Sequence, residues 1–253
     1  SKLQSLCDVV AHDEELQWTK RDGLHFGETN IPVYQMAADH AEFLITYYTP
    51  ENGIILDSFM GRATIGMASL LHDRKFVGFD TNKKNVDKTR SVMSEHFDTD
   101  NFDLYNSDGI LLEEFDDKSE YFDAICEDPP YILKNERYNK DDERDLSNLS
   151  KEDYMIRMKE HFIRLSRLIK TSNFDKKQFH PVICKVGTGR RGKEGIVDMD
   201  IEFQLAAKEA GFVLWDKVFN ELHSPWGSVN WERNYLNKYT QKNYETNLVF
   251  CKF

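Results

Sequence analysis

The chain has 253 residues, 40% of them hydrophobic and 13% aromatic, which is enough to build a full core as one large α/β domain or two small ones. Lysine and arginine number 33 against 44 aspartates and glutamates, a formal net charge of −11, so overall charge gives no support to nucleic-acid binding and any such contact must come from local patches. No apolar run reaches the roughly 18 residues of a spanning helix, the N-terminus lacks a signal-peptide pattern, and the four cysteines (Cys7, Cys126, Cys184 and Cys251) show no CxxC spacing. A soluble cytoplasmic protein with buried free thiols and no metal site is expected.

Residues 1–30 show no clear periodicity and read as an irregular segment. Residues 34–48 place Tyr34, Met36, Ala37, Ala41, Phe43, Leu44 and Tyr47 at spacings that suit a helix, and Pro50 and Gly53 then break the chain. Ile54–Leu56 reads as a short buried strand ending at Asp57, residues 62–72 as a helix, 76–79 as a second strand ending at Asp80, and 82–96 as a third helix. A weaker strand at 102–105 precedes Asp108-Gly109, and a fourth runs from 121 to 127. Alternating strands and helices imply a parallel sheet of βαβ units. Residues 132–150 are polar and read as a mobile loop. An amphipathic helix follows at 152–170, a fifth strand at 181–186, and a helix at 198–210 with Gly211 placed to stop it. The stretches 212–219 and 247–253 read as a closing pair of strands, so 1–253 is taken as a single domain without repeats.

The most telling residues are Asp128-Pro129-Pro130-Tyr131, directly after the fourth strand. Two prolines cannot continue a ladder, because neither has an N–H to donate. The chain therefore leaves the sheet with a carboxylate, a stiff backbone and an aromatic ring at the carboxyl edge, where open α/β sheets bind ligands. An acceptor, a rigid carbonyl and a stacking face suit the grip of a planar group bearing an exocyclic NH2. A rigid turn or a polyproline ligand is the plainer alternative.

The first strand leads into Asp57-Ser58-Phe59-Met60-Gly61-Arg62-Ala63-Thr64-Ile65-Gly66, whose small residues form a G-x-A-x-x-G pattern. Asp80 is placed to accept from ribose hydroxyls, and Asp108 from an adenine amino group. Each acid alone reads more readily as a solvated loop residue or helix cap; together they fit an adenosine-bearing cofactor. NAD and S-adenosylmethionine both stay open on this ground, although Asp57 beside the turn would repel a pyrophosphate and suit a cationic methionine end.

Asp57–Thr64 resembles the D-P-F-x-G-S-G-T cofactor motif of the amino-methylating DNA methyltransferases, and Asp128–Tyr131 resembles their catalytic [DNS]-P-P-[YFW] motif. The tail from Trp226 to Phe253 is similar to their closing strand segment. The chain departs from the pattern at Ser58, Arg62 and Ala63. The resemblance implies a single Rossmann-like methyltransferase domain with a mostly parallel seven-stranded sheet, an antiparallel closing strand and helices on both faces. It implies S-adenosylmethionine as cofactor, held by Asp57, Phe59, Gly61, Thr64, Asp80 and Asp108. It also implies catalysis by Asp128, Pro129, Pro130 and Tyr131 on a base flipped from double-stranded DNA. Asp128 and the Pro129 carbonyl would accept from the NH2, and Tyr131 would stack on the base. Cys126 is then structural.

Adenine N6 is the favoured target. Cytosine N4, an RNA base (guanine N2 or adenine N6) and a silent binding subunit are the alternatives, and a homodimer, a partner subunit and a paired restriction enzyme are left open. For nucleic-acid contact the sequence offers loop 132–150, the basic turn 187–195 with Arg190, Arg191 and Lys193, and the segment 223–243 with Trp226, Trp231, Arg233 and Lys238. The aromatics of that last segment equally suit the core of a hairpin.

Overall fold

The computed structural model describes residues 2–11, 36–131, 142–191, 195–221 and 244–253. In chain order the elements are α1 (Lys2–Ala11), α2 (Ala38–Tyr48), β1 (Ile54–Asp57), α3 (Thr64–Leu71), β2 (Lys75–Phe79), α4 (Lys83–His96), β3 (Phe102–Tyr105), β4 (Ala124–Glu127), α5 (Lys151–Leu168), β5 (Val182–Arg191), β6 (Gly195–Asp198), α6 (Met199–Glu209), β7 (Val213–Glu221) and β8 (Tyr244–Cys251).

The strands line up as β3-β2-β1-β4-β5-β8-β7. Neighbours from β3 to β5 are parallel, and β8 is antiparallel to both β5 and β7. This is the expected sheet with its antiparallel closing strand. One addition was not read from the sequence: β5 runs past Val186 to Arg191 and pairs with the short β6. A second correction concerns the start of the chain. Residues 2–11 form α1 and bury Leu3 and Leu6, although their pattern had suggested irregular structure.

Alternation along the strands assigns each face. Ile55, Ala124, Cys126, Ile183 and Val249 face a core shared with α1–α4. Leu56, Ile125, Val182, Cys184, Leu248 and Phe250 face a second core closed by α5 and α6. Sequence-local devices fix the helices in place. Ser150 caps α5 by accepting from the Asp153 N–H. Gly211, at φ +89°, closes α6 with paired backbone bonds from Gly211 to Lys208 and from Phe212 to Ala207. The sheet order reverses between β1 and β4, so a crevice opens where the carboxyl ends of those two strands diverge. Asp57 and Asp128 lie there, at the ends of adjacent strands.

Candidate active site

The cofactor end is built from three turns that lean on one another. Asp57 is buried at the end of β1, where its Oδ1 accepts from the Phe59 N–H at 3.0 Å. The turn then needs left-handed backbone at Gly61 (φ +50°) and again at Ala63 (φ +55°), which starts α3. Met60 donates its N–H to the Phe79 carbonyl at 2.9 Å, tying the turn to β2. A Cβ on Gly109 would lie 1.9 Å from the Ser58 carbonyl oxygen, so the turn after β3 presses directly on the turn after β1.

Asp80 extends from β2 toward this turn. Its carboxylate accepts from the Asn82 N–H at 2.6 Å, from the Asn85 amide at 3.1 Å and from the Gly61 N–H. Burial pushes its pKa up to about 7 against those bonds. Burial also holds the Asp57 carboxyl well above the usual carboxylate range, and the negative charges of Glu127, Asp128 and Asp80 add to the effect. Among the described residues, neither Asp57 nor Asp80 enters a salt bridge, and the buried Ser58 Oγ has no hydrogen-bond partner. Carboxylates at the ends of β1 and β2 fit a ligand that brings positive charge and hydroxyl donors, as S-adenosylmethionine does. Thr64 is buried in the first turn of α3, and Phe59 sets its ring edge-on to His161 at 5.4 Å.

Asp108, expected to meet an adenine amino group, is tied to the protein through both oxygens. Its Oδ1 accepts from the Ile110 N–H at 2.9 Å and its Oδ2 from Arg157 of α5 at 2.5 Å. Its two oxygens already secure the loop to α5.

The tetrapeptide begins where β4 ends. Asp128 Oδ2 accepts from the Lys185 ammonium at 3.0 Å, and the same ammonium reaches Glu245 Oε2 at 2.9 Å. Glu245 Oε1 accepts from the Tyr131 hydroxyl at 3.0 Å. The register explains this closed set. Lys185 pairs with Asn247 and Gly187 with Glu245, so Lys185, Gly187 and Glu245 share a face. The Tyr131 ring lies so close that a Cβ on Gly187 would meet it at 3.0 Å. Burial raises the Asp128 pKa, Lys185 pulls it down, and Glu245 pushes it up again. The Lys185 ammonium itself is held charged by the two carboxylates despite its burial.

Behind this face, Glu127 and His161 form a fully buried pair at 2.9 Å, and the Cys184 thiol donates to the other oxygen of Glu127 at 3.2 Å. Sequence reasoning missed Lys185 as a site residue, and Glu127, His161 and Glu245 altogether. The available signal was a lysine and a glutamate inside otherwise apolar strands, where such residues are rarely buried unless paired.

Arg190 and Arg191 extend along β5 opposite Ile196 and Gly195 of β6. Lys193, Trp226, Trp231, Arg233 and Lys238 lie outside the described residues, as do residues 132–141 of the expected loop.

The cofactor-turn part of the chain is matched by a known family. Residues 13–91 fit the family model described as DNA methylase, of the N6/N4 amino-methylating type. That stretch spans α2, β1, the cofactor turn, β2 and most of α4, and stops before Asp128. S-adenosylmethionine as cofactor agrees with the acceptors described above. No curated protein matches. Solved structures with this fold include a TehB-like S-adenosylmethionine-dependent methyltransferase from Corynebacterium glutamicum (TM-score 0.52, 15% identity, 87% of this chain and 89% of that one). Another is an S-adenosylmethionine-dependent methyltransferase from Methanosarcina mazei (0.52, 11%, 83% and 97%). The cyclase SpnF matches as well (0.53, 12%, 85% and 80%). At such identities these likenesses establish the methyltransferase fold and leave the reaction to the residues of the site.

Proposed function

We propose that the chain methylates an exocyclic amino group of a DNA base, adenine N6 in the first instance, using S-adenosylmethionine. The observation that supports this most is the position of Asp128: a carboxylate braced by Lys185 at the end of β4, on the strand next to the one that ends in the cofactor turn. Asp57 and Asp80 would hold the cofactor at its charged and ribose ends. When bound, S-adenosylmethionine supplies a methyl group on a sulfonium, whose C–S electron pair departs with the sulfur as the amine nitrogen bonds to the carbon.

The residues of the chain do the rest. An exocyclic amine is a poor nucleophile because its lone pair is delocalised into the ring. Asp128 accepts one N–H and the Pro129 carbonyl the other, which draws the nitrogen toward tetrahedral geometry and localises that pair. After transfer the surplus proton leaves the nitrogen through Asp128 to solvent. The Tyr131 ring offers a stacking face for a base taken out of the helix, a contact worth about 1–3 kcal/mol. An aspartate at the first motif position supports adenine over cytosine.

The test is transfer of labelled methyl to genomic DNA, followed by mass spectrometry of the nucleosides, with RNA offered in parallel. N6-methyladenine, abolished in Asp128→Ala, is the expected product. N4-methylcytosine or methylated RNA would redirect the substrate, and no transfer by cofactor-loaded protein would overturn the reading.

A further inference from the structure

We propose that Lys185 is the positioning residue of the Asp128 carboxylate, and that its ammonium keeps Asp128 ionised beside Glu245. The inference rests on the reading of Asp128 as the amine acceptor. An acceptor carboxylate must be ionised, because a protonated one donates where it should accept. The surroundings of Asp128 work against ionisation. Burial disfavours its charge, and Glu245 of β8 reaches the same ammonium that Asp128 does. Two carboxylates that reach the same point each make the other harder to ionise unless a cation stands between them.

Lys185 is that cation, and it is 7% exposed. Among the described residues, His40 of α2 is a second basic group facing this set. Its Nε2 accepts from the Asn247 amide at 2.9 Å, and burial lowers its pKa, so it adds no charge at neutral pH. The Tyr131 hydroxyl completes the set by donating to Glu245. The arrangement therefore has one lysine ammonium between two carboxylates, a net charge of −1. That charge suits a site where a cationic donor meets an amine that becomes positive as it is methylated.

The geometry also separates this role from ordinary packing. If Lys185 acts by charge, its loss is repaired by removing the second carboxylate. If it acts by filling space, it is not. The experiment follows the Asp128 carboxyl by ¹³C NMR through a pH titration, assigned with Asp128→Asn, in the wild type, Lys185→Met, Lys185→Arg, Glu245→Gln and Lys185→Met/Glu245→Gln. The same proteins are assayed for kcat and KM across pH 5.5–9.

The Asp128 carboxyl is expected to titrate at least one pH unit higher in Lys185→Met than in the wild type. At pH 6 its kcat is expected to fall more than about tenfold, with recovery toward pH 9, while KM stays within about threefold. Lys185→Arg keeps the wild-type profile, and the double variant returns toward it. Glu245→Gln alone lowers the titration of Asp128, which provides the test should Lys185→Met fail to fold. An Asp128 titration unchanged by Lys185→Met or Glu245→Gln overturns the inference, as does a loss of kcat that is equal at every pH. The titration needs no methyl transfer, so it decides the role of Lys185 even if the wild type proves inactive on DNA, the outcome that overturns the proposed function instead.

Discussion

The His161 imidazole donates to the Glu127 carboxylate at 2.9 Å, and neither side chain reaches solvent. The pair lies beneath both motifs at once: Glu127 directly precedes Asp128, and the ring of Phe59, from the cofactor turn, rests edge-on against His161. Removing one partner of such a pair strands a polar group in the core. His161→Leu should therefore lower unfolding stability by about 3–5 kcal/mol, read as a shift of the urea midpoint. Cys184→Ala, which loses only the weak thiol bond to Glu127, should cost no more than about 1–2 kcal/mol. Equal losses would show that the imidazole contributes nothing beyond its volume.

Asp80 gives the cofactor end a pH dependence whose sign can be worked out. Its folded pKa of about 7 lies above that of an unfolded aspartate. The folded protein thus binds this proton more tightly than the unfolded chain does. The associated stability is full below about pH 4 and lost as pH rises through about 7. Ribose hydroxyls donate to the ionised form, so binding of S-adenosylmethionine should tighten from pH 5.5 to about 7 and then level off. Calorimetry on wild type and Asp80→Asn would show this, the variant binding about tenfold more weakly and with a flat profile. A parallel slope in both proteins would remove Asp80 from the ribose site.

Tyr131 has two separable parts. Tyr131→Phe keeps the ring and loses the hydroxyl bond to Glu245, a change of about 1 kcal/mol. Tyr131→Ala also loses the stacking face. KM for DNA should rise by about tenfold or more in the alanine variant and by less than about fivefold in the phenylalanine variant. Identical KM values for the two would mean that the ring does not touch the base.

The glycines of the site should differ sharply in tolerance. Gly109→Ala places a methyl carbon against the Ser58 carbonyl and forces the turns after β1 and β3 apart. A loss of about 3 kcal/mol or more in thermal unfolding is expected. At Gly61 the added carbon meets nothing closer than 4.0 Å, and only the φ of +50° resists it, so Gly61→Ala should cost about 1 kcal/mol.

The motifs were legible because they break local rules in short stretches. Asp128 stands out beside two prolines that end a strand, and Asp57 beside small residues that begin a helix. The parallel sheet followed from strand and helix alternation, and the capping glycine at 211 from its place after an apolar pattern. Lys185 was not legible as a site residue, because its partners come from β4 and from β8, and composition cannot place them together. α1 was invisible for a related reason: two leucines in a ten-residue helix make too faint a stripe until a core exists to receive them. The Arg157 bond of Asp108 was not legible either, since a loop carboxylate looks the same whatever partner the fold brings to it.

The insertion of β8 between β5 and β7 has a temporal consequence. Glu245 reaches Tyr131 across 114 positions of chain, so a nascent polypeptide can complete β1 to β5, with both motifs in place, while the lysine beside Asp128 still lacks its second carboxylate. Contacts of such separation form late, after their loop-closure entropy has been met. This edge of the sheet is thus completed by a strand made well after both motifs, and a fragment ending before β8 would keep both motifs without the Glu245 contact that links Lys185 to Tyr131.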